Sequence, residues 1–167
     1  MSSRIVREQL ASHHELAKFD SGEPKIDLWL RSHASAASAR GYGRTYVWHF
    51  GDGVVVAFYT LTAHSFSRDE LPKKLARGEQ VIVPALLLGK FALDVSLQGQ
   101  GLSRILIADV VTEAEKASQI AAARYLIVDA LTPEMMGLYE RFGFHRSSRP
   151  VAHPNRLFAR IADLAVQ

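Results

Sequence analysis

The residue types best suited to chemistry fall in one short run, Gln98-Gly99-Gln100-Gly101-Leu102-Ser103, where a polar loop opens into a helical pattern. The first backbone N–H groups of a helix have no intrahelical acceptor, and the helix dipole makes that end electropositive. Gly99 and Gly101 carry no Cβ, so a ligand can approach the backbone closely and positive φ costs little. Together these features make a cradle for phosphate. The same spacing also fits a plain strand-to-helix connection. Two other phosphate motifs do not fit. The Walker pattern needs Lys and then Ser or Thr after its last glycine, where this chain has Leu102 and Ser103. The dinucleotide fingerprint needs a third glycine at fixed spacing. Asp94, Asp129 and Glu134 form no carboxylate pair and are each explicable as loop or cap residues. There is no HExxH and no compelling Ser/His/Asp order, which argues against a metalloenzyme or a serine hydrolase.

The run is positioned by its neighbours. Before it, Leu86-Leu87-Leu88-Gly89-Lys90-Phe91-Ala92-Leu93 is an apolar strand pattern, approached through Pro84. After it, Leu102, Ile105, Leu106, Val110, Ala114 and Ala117 recur at helical steps. Upstream, residues 4–10 read as a strand, and Ser12 with Glu15 has capping-box spacing for a brief helix over 16–19. Adjacent histidines on a helix point to different faces, so His13 and His14 read as surface residues and not a metal pair. Pro24 suits the first turn of a helix carrying Ile26, Trp29, Leu30 and His33 on one face, with His33 as a structural residue. Residues 45–50 and 54–61 read as paired strands joined at Gly51-Asp52-Gly53. Residues 65–78 read as a polar, basic loop with a short helix. Downstream, residues 125–130 read as a buried strand, and Thr132-Pro133 opens a helix that Gly143 closes. Residues 156–161 read as the last strand. Phe142 and Phe144 read as packing residues. The pattern predicts an α/β fold: a mixed sheet with helices on both faces.

With 167 residues the chain is most simply one domain, 1–167, and large enough for a substantial core. It has no cysteine, which excludes disulfides and thiolate metal sites and is compatible with a reducing cytoplasm. No apolar run approaches the roughly 18 residues of a membrane span, and the first residues lack a signal-peptide core. The formal charge of +3 permits an anionic partner, whether CoA or nucleic acid.

The glycine run resembles the acetyl-CoA pyrophosphate loop of the GNAT acetyltransferases, which reads Arg or Gln, two residues, Gly, one residue, then Gly or Ala; Ser103 departs at the last position. Leu138-Tyr139-Glu140-Arg141-Phe142-Gly143-Phe144 resembles the GNAT closing segment. By spacing alone Tyr139 is a packing residue of an amphipathic helix. The resemblance implies that it is the general acid for the departing CoA thiolate. A phenol of pKa about 10 suits a leaving thiolate of comparable basicity, given hydrogen-bond reach. The resemblance also assigns cofactor contacts to Phe91, Ala92, Leu93, Gln98, Gly99, Gln100, Gly101, Leu102, Ser103, Arg104 and Phe142, and implies a central mixed, mostly antiparallel sheet.

Further segments are similar to the GNAT toxins of bacterial toxin–antitoxin modules. Phe19-Asp20-Ser21-Gly22 followed by Ile26-Asp27-Leu28-Trp29-Leu30 resembles their N-terminal signature. Leu87-Leu88-Gly89-Lys90-Phe91-Ala92-Leu93-Asp94 resembles their central strand, and Val128-Asp129-Ala130 a closing one. The resemblance implies acetyl transfer from acetyl-CoA to the α-amino group of an aminoacyl-tRNA, which blocks translation. It further implies a homodimer, a separate ribbon-helix-helix antitoxin and a cytoplasmic location. Arg40, Arg44, Lys73, Lys74 and Arg77 are the cationic candidates for the tRNA acceptor stem. The rivals are a GNAT enzyme for a small amine or a protein terminus, and a CoA-binding module without activity.

Overall fold

The computed structural model describes residues 4–148 and 153–165. Its first half is built on a hairpin. Gly51 and Gly53, both at positive φ, reverse the chain between β2 (Arg44–His49) and β3 (Ala57–Ser67). These strands pair antiparallel, with Thr45 opposite Thr60 and Trp48 opposite Ala57, and β1 (Val6–Gln9) adds antiparallel to β2. Two helices precede the hairpin, α1 (Pro24–Ser32) and α2 (Ala34–Ala39). Pro24 occupies the first turn of α1, where its missing N–H removes no bond.

The second half follows as α3 (Lys73–Ala76), β4 (Ile82–Leu93), α4 (Leu102–Ile120), β5 (Tyr125–Asp129), α5 (Pro133–Phe142), β6 (His145–Arg146), β7 (Arg156–Arg160) and α6 (Ile161–Leu164). The strands are ordered β1-β2-β3-β4-β5-β7-β6. A parallel pair needs a long crossover, and the 19-residue α4 supplies it between β4 and β5. Both β5/β7 and β6/β7 are antiparallel. The expected mixed, mostly antiparallel sheet is therefore present.

The described chain forms two compact units. One takes in the residues through Thr62 together with Gly89–Leu106; the other takes in Ala63–Leu88 and the residues from Ile107 onward. The first is centred on Phe19, Leu30, Ala34, Val47, Val55, Phe58 and Ala92. The second is centred on Phe66, Leu71, Leu75, Val83, Ala85, Tyr125, Ile127 and Phe158.

Several expectations need correction. Residues 16–19 form no helix. Glu15 instead bridges to the hairpin: its N–H donates to the Gly53 carbonyl at 2.8 Å, and its carbonyl accepts from Val55 at 3.0 Å. Backbone pairing with a distant strand outweighs a local capping box. His14 is buried, not a surface residue, and hydrogen-bonds Glu8 at 2.9 Å. His33 is an exposed junction residue between α1 and α2, not part of the packed face. Pro84 lies inside β4, not ahead of it, and its carbonyl accepts from the Arg124 N–H at 2.9 Å. The last strand stops at Arg160, because Ile161 opens α6.

Candidate active site

In the first unit, β4 hands the chain to the glycine run through a tightly bonded corner. The Asp94 carboxylate accepts from the Ser96 hydroxyl at 2.7 Å, the Ser96 N–H at 3.0 Å and the Asp20 N–H at 2.9 Å. Partial burial alone would raise the Asp94 pKa, but the bonds from Ser96 and Asp20 outweigh it and hold the carboxyl below its usual range. A 3-10 turn over Val95–Leu97 follows. Gln98 then donates both to the Leu93 carbonyl at 2.9 Å and to the Ser21 carbonyl at 2.8 Å. The Gln100 side chain closes the loop by donating to the Ser96 carbonyl at 2.9 Å.

Gly99 and Gly101 both adopt left-handed backbone, at φ of 77° and 75°. A Cβ built on either meets nothing within 4 Å. The space beside both residues is thus open, and the helix N-terminus of α4 begins at the next residue, Leu102. An anionic diphosphate fits this arrangement: close backbone approach, a positive helix end and no acidic side chain within residues 98–104. The glycine turn into α4 was legible in the sequence. Its support was not. The Phe19-Asp20-Ser21-Gly22 turn holds the loop from below, with the Asp20 carbonyl accepting from Val95 at 2.8 Å and Asp27 of α1 fixing the Ser21 hydroxyl at 2.6 Å. Asp20-Ser21-Gly22 reads locally as an ordinary turn, and only the fold shows that it reaches residues seventy positions away.

The structure brings Leu93 and Gln98 into direct contact and places Phe91 and Ala92 just before them on β4. The β4/β5 register ends at Leu88 opposite Val128, and β4 continues past it through Leu93. Arg104 is exposed in the first turn of α4, with Leu102 and Ser103 half-buried.

In the second unit, α5 carries Tyr139 and Phe142. Thr132 caps it by accepting from the Met135 N–H at 3.1 Å, and Pro133 takes the first helical position. Gly143, at φ 122°, ends it and donates to the Tyr139 and Glu140 carbonyls at 3.1 Å each. The Phe144 N–H also donates to the Tyr139 carbonyl, at 3.0 Å, and its buried ring meets the Tyr139 ring edge-on at a centroid distance of 5.5 Å. Tyr139 is 2% exposed, and burial pushes its phenol well above the ordinary value. A phenol is protonated at physiological pH with or without this shift, and the shift makes Tyr139 a weaker acid than the ordinary phenol expected from the sequence. Phe142 is half-buried, so Phe144 is the packing member of that pair. The remaining carboxylate candidate on this side, Asp129, is held by Arg156 through two 2.8 Å bonds, which lower its pKa against the effect of burial. Glu134 lies in the first turn of α5, where a carboxylate complements the helix dipole.

Residues 85–158 match the acetyltransferase (GNAT) domain family. A tRNA-acetylating toxin of Mycobacterium tuberculosis is 31% identical over 153 residues, covering 92% of each chain. The solved structure of AtaT complexed with acetyl-methionyl-tRNAfMet is 27% identical, covers 98% of each chain and superposes with a TM-score of 0.88. A Tyr-to-Phe mutant of AtaT bound to the C-terminus of its antitoxin AtaR and to acetyl-CoA is 25% identical, with 97% of this chain and 96% of that chain covered and a TM-score of 0.80. The chain belongs to the GNAT acetyltransferases, on the branch of the tRNA-acetylating toxins.

Proposed function

We propose that the protein is a toxin that transfers acetyl from acetyl-CoA to the α-amino group of an aminoacyl-tRNA and so stops translation. The observation that carries this is the glycine cradle between β4 and α4, read together with relatives that act on tRNA over nearly the whole chain length. Residues 98–104 would hold the CoA diphosphate, with 91–93 beside the acyl arm; Phe142 of α5 is a further candidate for a cofactor contact. Bound acetyl-CoA supplies the activated acetyl thioester.

The chain's own groups do the rest. N–H groups of residues 91–93, on the part of β4 beyond the β5 register, polarise the thioester carbonyl. No dedicated base is required. An α-amine has a pKa of roughly 7.7–8.0, against about 10.4 for Lys, so an appreciable fraction is neutral at pH 7. Tyr139, a phenol protonated at physiological pH, donates its proton to the leaving sulfur.

The same reading takes 1–167 as a single acetyltransferase domain and places it in the cytoplasm, where charged tRNA is found. Among the described residues no helix is long and apolar enough to cross a membrane. It also implies a homodimer and neutralisation by a ribbon-helix-helix antitoxin; the AtaT complex with the AtaR C-terminus supports the binding of an antitoxin and bears on neither finer point.

The test is acetylation of a pool of charged tRNAs by the purified protein with labelled acetyl-CoA, against uncharged tRNA. Label should appear only on charged tRNA, and Tyr139→Phe should lower kcat by about 10²–10⁴-fold, the usual size of a general-acid contribution. Label on small or protein amines with none on tRNA would select the rival acetyltransferase.

A further inference from the structure

The first unit presents one aromatic ring whose placement no packing role explains. Tyr42 is 67% exposed, although the backbone on both sides of its ring is fixed. Its N–H donates to the Ala37 carbonyl at 2.9 Å, and its carbonyl accepts from the Thr62 hydroxyl at 3.3 Å. Gly41, at φ 80°, turns the chain out of α2 just before it, and Gly43 follows so closely against Thr62 that an added Cβ would lie 2.8 Å from the Thr62 hydroxyl. A loop this constrained fixes the backbone from which the ring projects. Arg40 sets its guanidinium over the ring, 5.7 Å from the centroid. Arg44 is committed differently, donating to the Ser38 carbonyl at 2.7 Å and so locking the end of α2.

The position of this ring follows from the hydrogen bonds of one strand. Thr62 and Thr60 are two residues apart on β3 and share a face. Thr62 holds Tyr42, and the Thr60 hydroxyl accepts from the Lys90 N–H at 2.8 Å. The Tyr42 loop and Lys90, which precedes the 91–93 stretch, thus flank the same strand, roughly 12 Å apart, from two ~4.8 Å strand spacings and a two-residue step of ~6.8 Å along β3. An aminoacyl-tRNA carries its amino acid on the last ribose of an unpaired 3′ end, so a base of that end lies within a nucleotide or two of the acylated amine.

We propose that Tyr42 is a stacking platform for an unpaired base at the 3′ end of the aminoacyl-tRNA, with Arg40 bordering the stack and meeting the adjacent phosphate. The proposal rests on the function proposed above and adds the element that recognises the acceptor end. Aromatic rings accept any base face, so the platform positions the RNA end without reading its sequence.

Two measurements test it on the intact protein, with wild type, Tyr42→Phe and Tyr42→Ala. The first is steady-state acetylation of charged tRNA and of the methyl ester of the same amino acid. Tyr42→Ala should raise KM for charged tRNA roughly tenfold or more while leaving kcat and methyl-ester turnover unchanged, and Tyr42→Phe should behave as wild type. The second is quenching of 2-aminopurine placed in the unpaired end of a short RNA, expected in wild type and Tyr42→Phe and lost in Tyr42→Ala. An unchanged KM or an unchanged quench in Tyr42→Ala overturns the proposal. Wild-type protein that quenches the RNA but does not acetylate charged tRNA would overturn the acetylation reading alone, and the platform would stand on the quench.

Discussion

Among the described carboxylates, Glu8 is the one whose electrostatics depart furthest from the ordinary value. His14 and His49 both hydrogen-bond its Oε1 through Nε2, and His13 Nε2 stands 3.7 Å from the same oxygen. Glu8 with His13 and His14 has the composition of a metal site, but the hydrogen bonds point elsewhere. His14 Nδ1 accepts from the Ala11 N–H at 2.9 Å, and His49 Nδ1 accepts from Gly51 at 2.9 Å and Gly53 at 3.2 Å. A histidine that binds metal through Nε2 ordinarily donates its Nδ1–H to an acceptor, the reverse of what is found. In their neutral forms both rings must carry the proton on Nε2 and give it to Glu8. These two hydrogen bonds lower the Glu8 pKa from 4.5 to about 2. A depressed carboxylate stabilises the fold above its unfolded pKa and loses that contribution as pH falls through the folded one. The melting-temperature advantage of wild type over Glu8→Gln should therefore be full above about pH 4.5 and shrink toward pH 2. A pH-independent difference would mean that the ionised carboxylate contributes nothing.

At the scale of elements, local signals succeeded where structure is set locally. The hairpin glycines, the α4 periodicity and the Thr132–Gly143 caps of α5 each specify their own segment, and each is present. The failures are long-range. Nothing near Ser12 and Glu15 announces that Glu15 will bridge to residues 53 and 55, nor that His14 will be buried against Glu8. The strand order is equally hidden, because β7 inserts between β5 and β6, and the Asp129–Arg156 pair that joins β5 to β7 links residues far apart in sequence. The glycine turn into α4 was legible for the opposite reason: its demands fall on adjacent residues. Those demands can be tested. Gly101→Ala meets no steric neighbour, so its structural cost is the left-handed backbone, roughly 1–2 kcal/mol. Gly78 has the same character, with φ 84° and nothing within 4 Å of an added Cβ, but lies far along the chain from the cradle. Gly78→Ala and Gly101→Ala should lower the melting temperature similarly, while only Gly101→Ala weakens acetyl-CoA binding, by about tenfold for a loss near 1.4 kcal/mol. Equal acetyl-CoA affinity in both variants would remove residues 99–101 from the cofactor site.

For the molecule as a whole, the net charge of +3 is small for engaging a polyanion such as the proposed tRNA substrate, so the placement of cations matters more than their sum. Arg156 is buried in its pair with Asp129, Arg124 is bound to buried Glu79, and Arg44 holds the end of α2. Lys73, Lys74 and Arg77 are different: all three are exposed, clustered on and just after α3. Leu75, between them, is buried in the second core, so truncating the three cations leaves the element anchored. If this cluster meets the tRNA backbone, each phosphate contact contributes about 0.7–0.9 to the slope of log affinity against log salt. The triple variant Lys73→Ala, Lys74→Ala, Arg77→Ala should flatten the salt dependence of kcat/KM for charged tRNA by about 2 in that slope. Its KM for acetyl-CoA should match wild type, because the glycine cradle is untouched. An unaltered slope would take α3 out of the RNA-binding surface and leave the electrostatic attraction to Arg40 and the other cations of the first unit.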